Sequence, residues 1–446
     1  MADGLKAGVS KVNITPPIGC DLTGFGGREY PALDISDDLF AKALVLDDGA
    51  AKIAIVTTDL LGLDFDLVEE IREAVEKHTG IPGANVMLPS SHTHSGPATI
   101  SIGLGDRDEH CAQVTKMKMI GAVRTACAAM KPAKVGCTRE EVRCGVNRRE
   151  VRDGKMVLGH NPHGELAPYV DVLRVDDADG HMLAVLFSHA AHPVVLGGDS
   201  YVVSADFPGH AMETVERVFD GRPVALFAQG CCGNINAMLR GTPAEARALG
   251  RMLGGAVIKA AATLQPNLSG PIGSAREVVQ LPLQQPPSVE AAEKQLQSAE
   301  QVLKDALASR HAGRIRVARR FRDWAHEMLV LAKEGPKDRT RAFEIQALRL
   351  GDIAFVGLPG EVFVEYQIWI DKHSPFTSTF VFGYTNGVIG YVPTADAFPK
   401  GGYEVETAHK YYPGTLMLTP DCERVIHEAA LRVLNKAKGA EQASAP

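Results

Sequence analysis

KIAIVTTDLLGLDFDLVEEIREAVEKHTGIPGANVMLPSSHTHSGP, residues 52–97, decides the fold. Lys52 to Thr58 is a nearly unbroken apolar run ending in Asp59, the pattern of a buried strand. Phe65 to His78 places Leu67, Val68, Ile71 and Val75 at helical spacing, with acids early and Lys77 and His78 late, as the helix dipole favours. Gly80 and Pro82 stop that helix, and Asn85 to Leu88 is a second short apolar run. Strand, helix and strand make a βαβ unit, so the residues after Leu88 sit at the carboxyl end of a strand, where α/β sheets place their sites. Those residues include His92-Thr93-His94. In an extended chain positions i and i+2 share a face, so both imidazoles can point at one target and supply half of a zinc site. Taken alone, the motif reads equally as two polar loop histidines. Asp59, ending the first strand on the same edge, is either a hydrogen-bond partner for an imidazole or a turn residue.

Upstream, Gly8 to Gly27 combines a strand-like piece with a glycine-rich loop able to wrap closely over a site, and Phe40 to Leu46 pairs with Lys52 to Thr58 through the hairpin turn Asp47-Asp48-Gly49. Downstream, residues 114–130 form an amphipathic helix and Val135 to Val146 a strand-like run, followed by Arg148 and Arg149, which as a bare pair read as solvated bases. Leu183 to His189 is another buried strand, leading into His192-Pro193, where the proline keeps the histidine extended. Asp206 precedes a helix with Pro208 in its first turn, as a cap or as a catalytic acid. Pro223 to Ala228 opens into Gln229-Gly230-Cys231-Cys232-Gly233-Asn234-Ile235-Asn236, whose small residues suit either an oxyanion site or a tightly packed turn. Pro243 to Leu264 is a long helix. Val289 to Glu334 is polar and helix-forming, a helical hairpin broken near Ala312-Gly313, read as a lid, an oligomer contact or a solvated face. Phe343 to Leu350 and Ile353 to Leu358 form a hairpin through Gly351-Asp352, Pro359-Gly360-Glu361 opens a helix, and Phe380 to Phe382 is a strand.

At 446 residues with 45% hydrophobic content the chain can bury a large core, and no linker-like stretch divides it. Its net charge of −7 is interspersed, which argues against nucleic acid or an anionic membrane as partner and for a small-molecule ligand. No apolar run reaches the roughly 18 residues of a spanning helix, and the start has no signal-like core, so the expectation is cytoplasmic. Eight cysteines without a Cys-x-x-Cys pair predict reduced thiols and no cysteine-zinc site.

The order and context of SHTHSGP, GVNRR, an Asn-Pro-x-Gly followed by VLRV, HPVV, SADFPG, QGCCGNIN, GLPGEVF, and NGVIGYVPT with Tyr403-Glu404 beyond resemble the neutral/alkaline ceramidase family of zinc-dependent hydrolases, over residues 8 to 430. The resemblance implies a zinc ion held by His92, His192, Glu361 and Tyr391, with His94, Arg148 and Tyr403 beside the substrate. Asn236 stands where the family has a serine, in Gly233-Asn234-Ile235-Asn236-Ala237 rather than Gly-Asp-Val-Ser-Pro, so a serine nucleophile is absent there. The chain resembles a short form lacking the C-terminal β-sandwich domain.

These readings together predict an α/β fold of mixed sheets with flanking helices, a ceramidase-like catalytic domain over residues 1–446 with a helical insertion at 286–340. The expected function is zinc-dependent hydrolysis of an acyl bond (a carboxylic ester, lactone or amide) by metal-bound water. His94 carries the proton, Arg148 and Tyr403 stabilise the oxyanion, Asn236 at most orients, and Asp206 is a further candidate. An N-acyl-sphingosine amidohydrolase is the alternative, and a non-catalytic metal-binding scaffold a second. The rival role for His94 is a second metal ion shared with Asp206 or Asp59.

Overall fold

The computed structural model describes residues 4–439 apart from Asp106, residues 220–222, Ser269 and residues 413–415. The βαβ unit forms as read: Lys52–Thr58 pairs in parallel with Val86–Met87, joined by the helix Phe65–Thr79. Gly80 closes that helix in the left-handed conformation (φ 72°), which glycine adopts without a Cβ clash. Phe40–Asp47 pairs antiparallel with Lys52–Thr58, as the Asp47-Asp48-Gly49 turn predicts.

An eight-stranded sheet runs in the order Val224–Gln229, Met182–His189, Tyr169–Asp177, Lys131–Glu141, Lys6–Asn13, Phe40–Asp47, Lys52–Thr58 and Val86–Met87. A second sheet orders Ile272–Pro282, Thr340–Leu350, Ile353–Gly357 and Ser378–Phe382. The two pack on each other, and strand alternation explains why their sequences are apolar without interruption. Ile53 and Ile55 face a shared core with Leu348, Phe355 and Phe382 of the second sheet, while Ala54 and Val56 face the helices Phe65–Thr79 and Glu109–Ala128. Asp206–Val218 and Pro243–Thr263 cover the rest of the first sheet, and Val364–His373 and Cys422–Lys438 cover the second. The order is therefore helices, sheet, sheet, helices. Thr242 and Glu245 form a reciprocal capping box at the start of Pro243–Thr263.

Two boundaries differ from the sequence reading. The run Val135 to Val146 is divided: Lys131–Glu141 belongs to the large sheet, and Gly145–Arg152 joins a three-stranded sheet with Lys155–Asn161 and Ile235–Ala237. Glu361 does not open a helix. Its backbone N–H donates to Gly390 O, Glu361–Val362 pairs in parallel with Tyr391–Val392, and the helix starts at Val364. The insertion is the expected hairpin of Val289–Ser309 and Ala312–Glu334, an excursion between two paired strands of the second sheet. None of the eight cysteines forms a disulfide, and no helix among the described residues is long and apolar enough to cross a membrane.

His189, at the end of Met182–His189, shows what this burial costs. It is fully buried, its Nδ1 bonds to Tyr169 O at 2.7 Å, and its Nε2 has no partner among the described residues. Burial lowers its pKa from 6.5 to about 4. A pKa depressed by folding favours the neutral ring in the folded state, so the stability it supports is complete above pH 6.5 and is lost as pH falls toward 4. Urea unfolding at pH 7 and pH 5 is expected to cost the wild type about 2 kcal/mol more than His189→Gln, which keeps a donor but does not titrate. Parallel losses in the two proteins would refute this.

Candidate metal centre and active site

Three parallel strand pairs deliver the site at their carboxyl ends. The loop after Val86–Met87 carries His92 and His94, the loop after Met182–His189 carries His192, and the loop after Ile353–Gly357 carries Glu361. His92 has a left-handed backbone (φ 65°) and is buried beneath Tyr384, whose ring stacks on it at 3.9 Å.

Hydrogen bonds settle which nitrogen each imidazole presents. His92 Nδ1 donates to Leu61 O at 2.8 Å, and His192 Nδ1 donates to Cys232 O at 2.6 Å. Each Nε2 is therefore left with a lone pair, and both face one carboxylate oxygen, Glu361 Oε2, at 3.5 Å from His92 and 3.2 Å from His192. His94 Nε2 lies 3.2 Å from His92 Nε2. Acceptors facing one another in a buried space repel unless a proton or a cation lies between them. The ligating atoms of His92, His94 and His192 all fall within 4.8 Å of one another, a group able to hold a metal ion.

The charge states agree. Burial, with Arg148 nearby, lowers the His192 pKa to about 4, and burial with His92 and His192 alongside holds His94 well below its ordinary value. Burial opposes ionisation of Glu361, but the imidazoles of His192 and His92 beside it hold its carboxyl well below the usual range. Neutral imidazoles and an ionised carboxylate are the forms that bind a cation.

Of the other expected residues, Tyr391 lines the cavity and its hydroxyl accepts from Arg148 Nη2 at 3.0 Å. Arg148 is buried rather than solvated. It bonds Glu404 at 2.8 Å and Asn236 Oδ1 at 3.4 Å, and its guanidinium lies 5.9 Å from the Tyr403 ring centre. Arg149 pairs with the other oxygen of Glu404 at 2.7 Å. Asn236 bridges to His192 through a backbone pairing, so the serine's place is close to the centre but holds a carboxamide.

The structure does not bring Asp206 or Asp59 to the centre. The Asp206 carboxylate accepts from the N–H groups of Leu196 and Phe207, where it serves a turn and a helix start. Asp59 accepts from Phe40 N rather than from an imidazole, and among the described residues neither acid belongs to the metal-capable group that includes His94. Within residues 229–236, four backbone N–H groups are already bonded and are not free to meet an oxyanion. The N–H groups of Gly230, Cys231, Gly233 and Ile235 are bonded to His189 O, Gln367 Oε1, Val362 O and Cys232 O. Packing explains the small residues, since a Cβ on Gly233 would lie 2.3 Å from Glu361 O.

The cavity over the cluster has a volume of about 340 Å³ and is walled by Phe25, Leu61, Ile102, Leu104, Tyr403 and Tyr411. Gly24, in the glycine-rich loop, approaches so closely that a Cβ there would sit 2.5 Å from His94 Nδ1, and its φ of 95° suits glycine. The helix Ala312–Glu334 braces two cavity walls. Arg316 donates to Arg28 O, Gly313 lies against Gly27, and Arg320 donates to Lys410 O and Tyr412 O.

Tyr412, which the sequence reading missed, donates its hydroxyl to Glu361 Oε1 at 2.7 Å. Partners of this kind fix a ligand's orientation. Tyr412→Phe removes one hydroxyl from a half-buried ring, and metal affinity measured by chelator competition is expected to fall by about ten- to a hundredfold. Unchanged affinity would show that Glu361 is held without it.

Comparisons with known proteins place the chain in a family. The sequence profile of the neutral/alkaline non-lysosomal ceramidase N-terminal region matches residues 5–342. A neutral ceramidase of Pseudomonas aeruginosa is 24% identical over 259 residues, which are 53% of this chain and 38% of that protein. Neutral ceramidase B of Dictyostelium discoideum is 26% identical over 227 residues, 45% of this chain and 31% of that one. The chain thus matches well under half the length of these curated relatives. The crystal structure of the Pseudomonas aeruginosa neutral ceramidase superposes with a TM-score of 0.75 at 18% identity, covering 99% of this chain and 76% of that one. A ceramidase complexed with C2 gives 0.74 at 17% identity, covering 99% and 77%. The profile match, over most of the chain, shows that it belongs to the neutral/alkaline non-lysosomal ceramidase family.

Proposed function

We propose that this chain is a zinc-dependent amidohydrolase that cleaves the N-acyl bond of a ceramide-type lipid. The observation that carries the proposal is the convergence of His92 Nε2 and His192 Nε2 on Glu361 Oε2 beneath an aromatic and aliphatic cavity. His92, His192, Glu361 and Tyr391 would hold the ion, which supplies a Lewis acid for the acyl oxygen and makes a water acidic near neutral pH. Family membership favours the amide over the ester or lactone that the residues alone leave equally open.

The residues divide the remaining work. The apolar walls seat an acyl chain and thin out water around the amide, which strengthens electrostatic interactions inside. Arg148, held by Glu404, and Tyr403 offer positive charge and a hydroxyl where the carbonyl oxygen becomes negative. Asn236 has no hydroxyl, so the nucleophile is water and no acyl-enzyme forms on this residue. Water adds to the carbonyl carbon, the C–N bond breaks, and His94 accepts a proton from the water and returns it to the leaving amine.

A side-by-side assay of an N-acyl sphingosine, a fatty ester and a lactone tests the proposal. Equimolar fatty acid and sphingoid base from the amide, faster than hydrolysis of the other two, is expected. Turnover of the ester or lactone with an inert amide would overturn it.

A further inference from the structure

The two histidines that present their Nε2 atoms to Glu361 reach the centre from distant parts of one sheet. His92 follows Val86–Met87 at one end of the strand order, whereas His192 follows Met182–His189, next to the opposite end. No strand ladder joins these two strands, yet the rings lie 4.9 Å apart. Each loop is anchored locally, His92 N to Leu60 O and His192 N to Ile235 O, and neither anchor fixes one loop relative to the other.

Gln229 spans that gap. It is the last residue of the edge strand Val224–Gln229 and is fully buried. Its Nε2 donates to Ser91 O at 3.0 Å and to Ala191 O at 2.9 Å, the carbonyls immediately before His92 and His192. Both neighbours are acceptors, so only the NH₂ end of the carboxamide can face them, and its orientation is fixed by chemistry. Its backbone O accepts from Gly383 N, next to Tyr384, whose ring stacks on His92. Gln229 Oε1 is buried with no partner among the described residues. A side chain present only to fill space would be apolar and would avoid that unsatisfied oxygen.

We infer that Gln229 is a positioning residue of the metal centre, tying the carbonyls that precede both ligand histidines and so setting the spacing of His92 and His192. The inference rests on the metal-binding reading above. Ligand geometry set from outside the ligands governs metal affinity, by about ten- to a hundredfold in comparable cases.

The test uses the full chain as wild type, Gln229→Met, which fills the space without donors, and Gln229→Asn, which keeps an amide one methylene shorter and so unable to reach both carbonyls. Zinc affinity is read by chelator competition, ligand geometry by the visible spectrum of the cobalt-loaded protein, and folding by circular dichroism and thermal melting. Weaker zinc binding by about ten- to a hundredfold and an altered cobalt spectrum are expected in every variant that folds. The shorter amide keeps the experiment decisive where the Met variant does not fold. Wild-type affinity and spectrum in a folded variant, even one with a lower melting temperature, would reduce Gln229 to a packing residue and overturn the inference. Absence of zinc binding by the wild type would instead overturn the metal reading, and the inference with it.

Discussion

Glu361→Ala is expected to purify without its metal ion and to lose N-acyl hydrolysis by about 10³-fold or more, the scale of a Lewis acid worth several kcal/mol. Glu361 provides the carboxylate oxygen toward which both Nε2 atoms point, and Tyr412 holds its other oxygen. With alanine there, two neutral imidazoles and His94 are left with no negative charge to complete a cation site. Glu361→Gln keeps the shape and an acceptor for Tyr412 but loses the charge, so it should retain the fold while binding zinc poorly. Metal analysis beside turnover decides the matter: wild-type metal content in a folded Glu361→Ala protein would remove Glu361 from the ligand set.

Arg148→Ala combines a catalytic and a structural loss. Arg148 and Arg149 together neutralise the buried Glu404 carboxylate, and Arg148 also reaches Tyr391 and Asn236. Arg149 still pairs with Glu404 when Arg148 is removed, so the structural loss is that of a charge-assisted hydrogen bond, about 1.5–3 kcal/mol. On the function proposed above, loss of the positive charge that stabilises the developing oxyanion costs about 10²–10³-fold in turnover. Arg148→Lys should rescue little, because an ammonium lacks the planar fork that spans Glu404, Tyr391 and Asn236 at once. Denaturant unfolding and steady-state kinetics on the two variants test this. Near-wild-type turnover in the lysine variant would show that charge alone suffices.

Residues whose partners lie nearby in sequence, or whose spacing is itself the signal, were legible. The βαβ unit, the His92-Thr93-His94 pair and the strand ending before His192 follow from periodicity and from the rule that places sites at strand ends. Glu361 and Tyr391 entered only through family resemblance. Glu361 was misplaced on a helix because Pro359-Gly360-Glu361 mimics a helix start, whereas its backbone pairs with a strand centred about thirty residues later. The packing of one sheet on the other was invisible, since an apolar run shows that both faces of a strand are covered but not by what. Gln229, Tyr384 and Tyr412 carry no local signature. Their partners Ser91, His92 and Glu361 lie far away in the chain, and a buried amide or phenol reads as ordinary core until the fold joins them. Asp206 and Asp59 failed for the converse reason: an acid at a strand or helix end serves backbone N–H groups as readily as it serves chemistry.

The central claim is that one ion held by His92, His192, Glu361 and Tyr391 is required for amide cleavage. Zinc per chain and N-acyl-sphingosine turnover, measured on the same samples through stepwise chelation and zinc restoration, test it most directly. Turnover rising in proportion to zinc and levelling at one ion per chain is the predicted result; turnover that persists after the ion is removed would contradict it.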